Sequence, residues 1–215
     1  MPSTIISRKK LQSVLQSVSG FSSPKIDLEQ YPTSPHVAAD ILFNMQMMHG
    51  SIQGMSVADL GCGPGILSVG ARLLGASYVI SVDVDPDAIS DFVGNLDSLD
   101  MRDEAMDAVL CDVTRFGLEN DRKLVDTVIL NPPFGTNRSN TGIDMEFLKR
   151  ALYIAESHVY SLHKTSTRDF VLRTIRDQKA RAEVVAELRF DIPRMYKRHR
   201  QGSVDIEVDL VHAWY

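Results

Sequence analysis

Short apolar segments alternate with amphipathic ones over residues 57–175, and this alternation constrains the fold more than any other feature of the chain. The apolar segments 57–60, 78–82, 108–111 and 125–130 have the length and composition of buried strands. Apolar side chains recur at helical spacing in the stretches between them. Strands and helices that alternate in this way form a parallel sheet covered by helices on both faces, so we expect an α/β fold.

The pattern changes in the C-terminal part of the chain. A further strand at 159–162 and a helix at 167–175 are followed by two segments, 186–192 and 204–210, in which apolar and polar residues alternate. A period of two is typical of a strand with one polar face. We therefore expect a mixed sheet of about seven strands that ends in an antiparallel hairpin.

The N-terminal residues read as a helical addition to this domain. One helix is expected to stop at Gly20. A second helix is expected to begin at Thr33 or Ser34, with Pro35 in its first turn. We predict that residues 1–50 form a helical segment that packs on an α/β domain, residues 51–215.

Composition excludes several classes of protein. No apolar run approaches the ~20 residues of a membrane span, and the two cysteines, Cys62 and Cys111, are too few for a disulfide framework. We expect an intracellular protein. A net charge of −5 means that any nucleic acid must be bound by a local basic patch. The six histidines show no metal-ligand spacing with the cysteines, so we predict no metal site.

A glycine-rich loop, residues 59–65 (DLGCGPG), lies where the first predicted strand meets a helix. Glycines there let the backbone turn tightly and approach a ligand. Because Ile66 stands where a dinucleotide fingerprint has its third glycine, the loop is more similar to the S-adenosylmethionine loop of Rossmann-like methyltransferases. Asp59 would then organise the ammonium group of that cofactor. The alternative is a tight turn that binds no ligand.

Two further carboxylates follow strands. Asp83, at the end of the second strand, is placed to accept hydrogen bonds from both hydroxyls of a ribose. Alternatively, Asp83 and Asp85 only cap the next helix, a role that suits Asp85 better. Asp112, with the Val113 backbone beside it, is a candidate partner for an adenine amine, the alternative being an aspartate in a surface turn.

The motif Asn131-Pro132-Pro133-Phe134 ends the fourth strand. The Asn131 side-chain oxygen and the Pro132 carbonyl can each accept an N–H of an amine or amide, which directs the nitrogen lone pair at a methyl donor. The two prolines fix the backbone, and Phe134 can stack on a planar base. The alternative is a rigid proline turn.

Together with the glycine loop, this motif is similar to the amino-methyltransferases that act on adenine N6, cytosine N4 or protein glutamine. Segments 28–33, 131–136, 160–164 and 203–210 resemble methyltransferase-like protein five, a family of N6-adenosine methyltransferases of small-subunit (18S) ribosomal RNA. The resemblance runs from about Leu11 to the C-terminus. It implies a class I, Rossmann-like methyltransferase that uses S-adenosyl-L-methionine.

The resemblance also implies residue roles. Gln30 and Thr33 would close over the cofactor, whereas Pro64 departs from the small or polar residue common in the family and supplies no backbone N–H. The full set of expected cofactor-binding residues is Gln30, Thr33, Asp59, Gly61, Gly63, Pro64, Ile66, Asp83, Asp112 and Val113.

A basic loop joins the last two predicted strands. Its Lys197, Arg198 and Arg200, together with Lys164, are candidate contacts for RNA phosphates. The alternative is a solvated basic hairpin loop. Family members need a small zinc-binding methyltransferase activator protein, and the third strand, near 108–111, is the expected sheet edge at which this partner would bind.

Two other functions remain open. A protein glutamine N-methyltransferase uses the same backbone chemistry on an amide, although such enzymes usually have tyrosine where Phe134 stands. A non-catalytic RNA-binding subunit with the same fold is the other alternative. The expected location is the nucleus (nucleolus), the cytoplasm or both.

Overall fold

The computed structural model describes residues 6–118, 123–135, 140–192 and 204–215. The α-helices in these residues are α1 (Arg8–Leu15), α2 (Pro35–His49), α3 (Ile66–Leu73), α4 (Pro86–Ser98), α5 (Ile143–Ile154) and α6 (Arg168–Asp177). The strands are β1 (Ser56–Leu60), β2 (Tyr78–Asp83), β3 (Met106–Leu110), β4 (Val125–Leu130), β5 (Ala155–Lys164), β6 (Arg181–Ile192) and β7 (Val204–Trp214). Among these residues, no helix is long and apolar enough to span a membrane.

All seven strands form one sheet in the order β3-β2-β1-β4-β5-β7-β6. Strands β1 to β5 pair in parallel, whereas β7 pairs antiparallel with both β5 and β6. The predicted mixed sheet and C-terminal hairpin are confirmed, and β3 lies at one edge as expected. Because β1 and β4 are parallel neighbours in the centre, the order in which strands are added to the sheet reverses between them, and doubly wound sheets bind their ligands at this point.

Helix α2 begins and ends where its sequence indicates. The Ser34 hydroxyl accepts a hydrogen bond from the Val37 backbone N–H, and Pro35 occupies the first turn. Gly50 ends the helix in the left-handed conformation, with φ of 61°. These local interactions explain why both ends of α2 follow from the sequence.

The end of α1 and the limits of four strands were predicted wrongly. Helix α1 stops at Leu15 rather than near Gly20, because the Ser19 backbone is hydrogen-bonded to the Asn95 side chain of α4. Strand β3 begins earlier than position 108 and ends at Leu110, and β5 is longer at both ends than 159–162. Strand β6 begins at Arg181 rather than at position 186, and β7 extends to Trp214 rather than to position 210.

The core occupies both faces of the sheet. Helices α1, α2, α3 and α4 cover one face, and their buried side chains include Leu15, Leu42 and Phe92. Helices α5 and α6 cover the other face, with Leu148 and Ile175 fully buried. The N-terminal helices therefore contribute directly to the core, and they fix the position of the segment that follows α1.

Candidate active site

A cavity of about 520 Å³ lies at the carboxyl ends of β1, β2 and β4. It is also walled by the chain between α1 and α2, residues 16–34, which we call the N-terminal segment. The predicted site residues that line the cavity are Gln30, Thr33, Gly61, Gly63, Pro64, Ile66, Asp83, Asp112, Val113, Asn131 and Pro133.

The glycine loop adopts a conformation that only glycine tolerates at several positions. Gly63 has φ of 52°, and a Cβ atom there would lie 2.7 Å from the Phe21 ring. Gly65 has φ of 86°, and its Cβ would lie 2.0 Å from Phe92. Positive φ and close ring packing together exclude larger residues, so the loop brings its backbone directly to the cavity.

Asp83 lines the cavity and is mostly buried, with 8% of its surface exposed. Its Oδ2 accepts a hydrogen bond from the Gly63 N–H over 2.8 Å, and its Oδ1 accepts one from the Asp85 N–H over 2.9 Å. Burial raises the pKa of the carboxyl group, against the effect of these two bonds. Each oxygen keeps one lone pair, so Asp83 can order the loop and still accept ribose hydroxyls.

Asp85 performs the capping role considered for it in the sequence. Its carboxylate accepts hydrogen bonds from the Asp87 N–H, the Gln30 side chain and the Lys25 ammonium group. Burial acts to raise the pKa of Asp85, but the bonds from Lys25 and Gln30 outweigh it and the pKa is lowered. Gln30 therefore also fastens the N-terminal segment to α4.

Asn131 is oriented by the N-terminal segment. Its Nδ2 donates a hydrogen bond to the Thr33 hydroxyl over 3.0 Å. Its Oδ1 is buried and has no hydrogen-bond partner among the described residues. A buried amide oxygen without a donor is costly, so this atom indicates a ligand that donates an N–H.

The other residues of the motif lie differently. Pro133 lines the cavity, whereas Pro132 and Phe134 are not among the lining residues that the structure describes. The Phe134 ring packs edge-to-face against Phe190 of β6, with centroids 6.2 Å apart. Packing against Phe190 restrains the Phe134 ring. The predicted stacking of Phe134 on a base stays a prediction.

Asp59 lies behind the glycine loop rather than in the described cavity wall. Its Oδ2 accepts a hydrogen bond from the Ser68 hydroxyl over 2.6 Å, and the Ser81 hydroxyl donates in turn to Ser68. Its Oδ1 is buried without a described partner. Complete burial raises the pKa of Asp59 to about 7. The predicted contact with the ammonium group stays a prediction.

The remaining predicted residues divide into two groups. Asp112 lines the cavity, but its Oδ1 accepts hydrogen bonds from the Thr114 N–H and hydroxyl, as in the surface turn that was its alternative. Lys164 lies at the end of β5, away from the cavity lining. Three of the predicted RNA-binding residues lie outside the described part of the chain: Lys197, Arg198 and Arg200.

Sequence reasoning missed the residue that attaches the N-terminal segment to the glycine loop. Asn95 of α4 is buried; its amide donates to the carbonyls of Ser19 and Pro64, and its oxygen accepts from the Ser19 N–H. Phe21 and Phe147 were also missed as lining residues. Asparagine on an amphipathic helix gives no local signal of such a role.

Comparisons with known proteins agree with this geometry. A family model of ribosomal protein L11 methyltransferase matches residues 41–131. The rRNA N6-adenosine-methyltransferase METTL5 of Danio rerio is 50% identical over 203 residues, which cover 94% of this chain and 96% of the relative. The protein of the same name from Drosophila melanogaster is 48% identical and covers 94% of this chain and 93% of its own. The chain belongs to the METTL5 family.

Solved structures show that this member of the METTL5 family shares its fold with other methyltransferases. The crystal structure of a proposed RNA methyltransferase from Pyrococcus horikoshii superposes with a TM-score of 0.82 at 33% identity. The match covers 96% of this chain and 97% of the other. Magnesium protoporphyrin IX methyltransferase from Synechocystis, 12% identical with a TM-score of 0.59, covers 100% of this chain and 86% of its own and shows a shared fold. The class I methyltransferase fold is thus confirmed.

Proposed function

We propose that this member of the METTL5 family uses S-adenosyl-L-methionine to methylate N6 of an adenosine in small-subunit (18S) ribosomal RNA. The observation that carries the proposal is the buried Asn131 Oδ1, which lies beside the cavity without a donor. The amine of adenine supplies such a donor. The relatives from Danio rerio and Drosophila melanogaster are named for this reaction.

The cavity fits the cofactor through its donors and acceptors. Asp83 offers lone pairs for the ribose hydroxyls, and the glycine loop gives the close backbone approach that a large ligand needs. Asp112 and Val113 border the same cavity and are assigned to the adenine ring. When bound, S-adenosylmethionine supplies a methyl group on a positively charged sulfur.

Asn131 provides the catalytic orientation. Its Oδ1 accepts one N–H of the target amine and the Pro132 carbonyl accepts the other, so that the nitrogen lone pair is directed at the methyl group. The N–CH3 bond would form as the S–CH3 bond breaks, which would leave S-adenosylhomocysteine. No strong base is needed, because the methylated nitrogen is cationic and acidic and its proton can pass to water. Proximity and orientation then supply most of the rate enhancement.

Nucleoside mass spectrometry tests the proposal. Small-subunit rRNA from cells that lack the protein should have lost one N6-methyladenosine, which the natural chain restores and Asn131→Ala does not. Persistence of the mark in the deficient cells contradicts the RNA substrate and directs the test to the protein glutamine alternative. Restoration by Asn131→Ala contradicts the role of Asn131.

Cofactor binding separates an enzyme from a non-catalytic RNA-binding subunit. Asp83→Ala should weaken S-adenosylmethionine binding about 10- to 100-fold in calorimetry, because it removes the ribose acceptor and frees the Gly63 N–H. Asp97→Ala is the matched control, since Asp97 is an exposed residue of α4 that pairs with Arg102. Unchanged binding in Asp83→Ala would favour the non-catalytic subunit.

The partner and location are also proposals. The β3 edge is unpaired in the described sheet, and Leu110 and Val84 beside it are more than half exposed, which supports binding of the small zinc-binding activator by strand addition. Leu110→Asp should abolish co-purification with that partner, whereas the similarly exposed control Leu118→Asp should not.

We propose that the protein resides in the nucleus (nucleolus), the cytoplasm or both. Imaging of the tagged chain would test this location.

A further inference from the structure

A cluster of imidazoles that methyl transfer does not use lies on the α2 face of the sheet. His49 ends α2, and the cross-strand neighbours Tyr160, His212 and Glu183 follow on β5, β7 and β6. His158 lies next to them on β5. The 15 residues of α2 span about 22 Å, so the cluster is remote from Thr33 and the cavity.

Three of these side chains place atoms that could bind a metal close together. The His49 Nε2 and the His212 Nδ1 each lie 3.6 Å from the Glu183 Oε1, and all three atoms lie within 4.8 Å of one another. In a tetrahedral zinc site, with bonds near 2.1 Å, neighbouring ligand atoms are about 3.4 Å apart. The Glu183 side chain is half exposed, so it can adjust to this geometry.

A second observation indicates a ligand at this point. The His212 ring is almost completely buried, and its Nδ1 has no hydrogen-bond partner among the described residues. Its Nε2 lies 3.0 Å from the His158 Nδ1. When Nε2 donates to His158, the Nδ1 keeps a lone pair and lies 3.6 Å from the Glu183 Oε1. Stacking on Tyr160 and Trp214 explains the position of the ring but not this unpaired nitrogen.

Hydrogen bonding at the His49 Nδ1 leaves its Nε2 available to bind a metal. The His49 Nδ1 lies 2.8 Å from the Tyr160 hydroxyl, which lies 3.1 Å from the Ser51 hydroxyl. Ser51 can in turn donate to the Met45 carbonyl over 3.1 Å. These groups form a series in which His49 can donate to Tyr160, Tyr160 to Ser51, and Ser51 to the Met45 carbonyl. Every acceptor in the series is then satisfied, and the His49 Nε2 keeps its lone pair. Histidine ligands of zinc commonly have such support.

We propose that His49, Glu183 and His212 bind one zinc ion, with water as the fourth ligand. Two imidazoles and a carboxylate suit zinc better than magnesium or calcium, which prefer oxygen alone. The ion joins the end of α2 to the C-terminal hairpin and so stabilises the fold. The prediction of no metal site rested on the lack of ligand spacing between the histidines and cysteines, whereas these three residues come from α2, β6 and β7 and include a glutamate.

Zinc titration of the full-length, chelator-treated protein tests this site. Calorimetry should show one ion per chain, and saturating zinc should raise the midpoint of thermal unfolding by about 5 °C or more. Glu183→Gln, at a half-exposed position, should weaken binding at least about 100-fold without unfolding the chain. Tyr160→Phe should weaken it about 10- to 100-fold through the orientation of His49. His36→Gln, on the exposed side of α2, is the matched control.

The outcomes separate this site from adventitious zinc. Substitution by cobalt should give visible absorption without a thiolate charge-transfer band, since neither cysteine is a ligand. Absence of one-to-one binding overturns the proposal. Equal affinity of Glu183→Gln and the natural chain for zinc also overturns it. A thiolate charge-transfer band overturns it as well, because it would assign the ion to Cys62 or Cys111.

Discussion

The Asn131 amide donates a hydrogen bond to the Thr33 hydroxyl over 3.0 Å, across 98 positions of the sequence. This bond fixes which end of the amide faces Thr33 and leaves the oxygen available for a substrate N–H. The residue proposed to orient the reacting amine is therefore itself positioned by the N-terminal segment. The proposed catalytic role of Asn131 therefore depends on the position of that segment through one hydrogen bond.

Substitution Thr33→Val should lower kcat about tenfold, because loss of a hydrogen bond worth ~1.4 kcal/mol lets the Asn131 amide rotate. Thr33→Ser keeps the hydroxyl and should restore kcat to within about twofold of the natural chain. Steady-state kinetics of methyl transfer to RNA measure both. A raised KM for the cofactor with an unchanged kcat would instead mean that Thr33 acts only by packing on the cofactor.

Substitution Asn95→Ala should lower the free energy of unfolding by about 2–3 kcal/mol, because it leaves the Pro64 carbonyl and both Ser19 backbone groups without their partner. Urea denaturation measures the loss. Amide hydrogen exchange should accelerate in residues 16–34 more than in the core strands.

Ser98→Ala provides a control on the same helix, since the Ser98 hydroxyl bonds only to the Gly94 carbonyl in an exposed position. It should change stability by less than about 0.5 kcal/mol. Equal exchange rates in the N-terminal segment of Asn95→Ala and the natural chain would contradict the attachment role of Asn95.

Stability should depend on pH through Asp59. Its pKa of about 7 in the folded chain exceeds the value near 3.9 of an unfolded aspartate, so the folded state binds the extra proton. The contribution is complete below about pH 4 and is lost as pH rises towards 7, by about 4 kcal/mol in total. Urea denaturation from pH 4 to 8, compared with Asp59→Asn, measures this contribution.

The asparagine variant cannot titrate at this position, so the difference between the two proteins isolates Asp59. The natural chain should lose stability relative to Asp59→Asn as pH rises. A constant difference over this range would mean that the carboxyl group is already ionised throughout.

Much of the fold followed from local sequence signals. Period-two alternation predicted the hairpin of β6 and β7, and the capping role considered for Asp85 predicted the start of α4. The C-terminal boundary of α1 did not follow, because it depends on Asn95, which lies far along the chain. Apolar spacing continues past Leu15, but the chain after α1 is hydrogen-bonded to Asn95 of α4 instead of continuing the helix.

The candidate site was predicted in a similar way. The glycine loop, Asp83 and Asn131 were found because each directly follows a strand, and parallel strands bring their carboxyl ends together. Phe21 and Asn95 carry no signal of that kind. Their contributions come from packing between elements that are distant in the sequence.

The sequence by itself determined the α/β class and the order of strands and helices, and it provided the candidate residues for binding a methyl donor and an amine. These properties depend on periodicity and on residue type at strand ends, which are local. Only the tertiary structure decided which end of the Asn131 amide faces Thr33, that Asp59 is buried behind the loop, and that His49, Glu183 and His212 lie close together. Each of these depends on a contact between distant segments, which the sheet register and helix packing create.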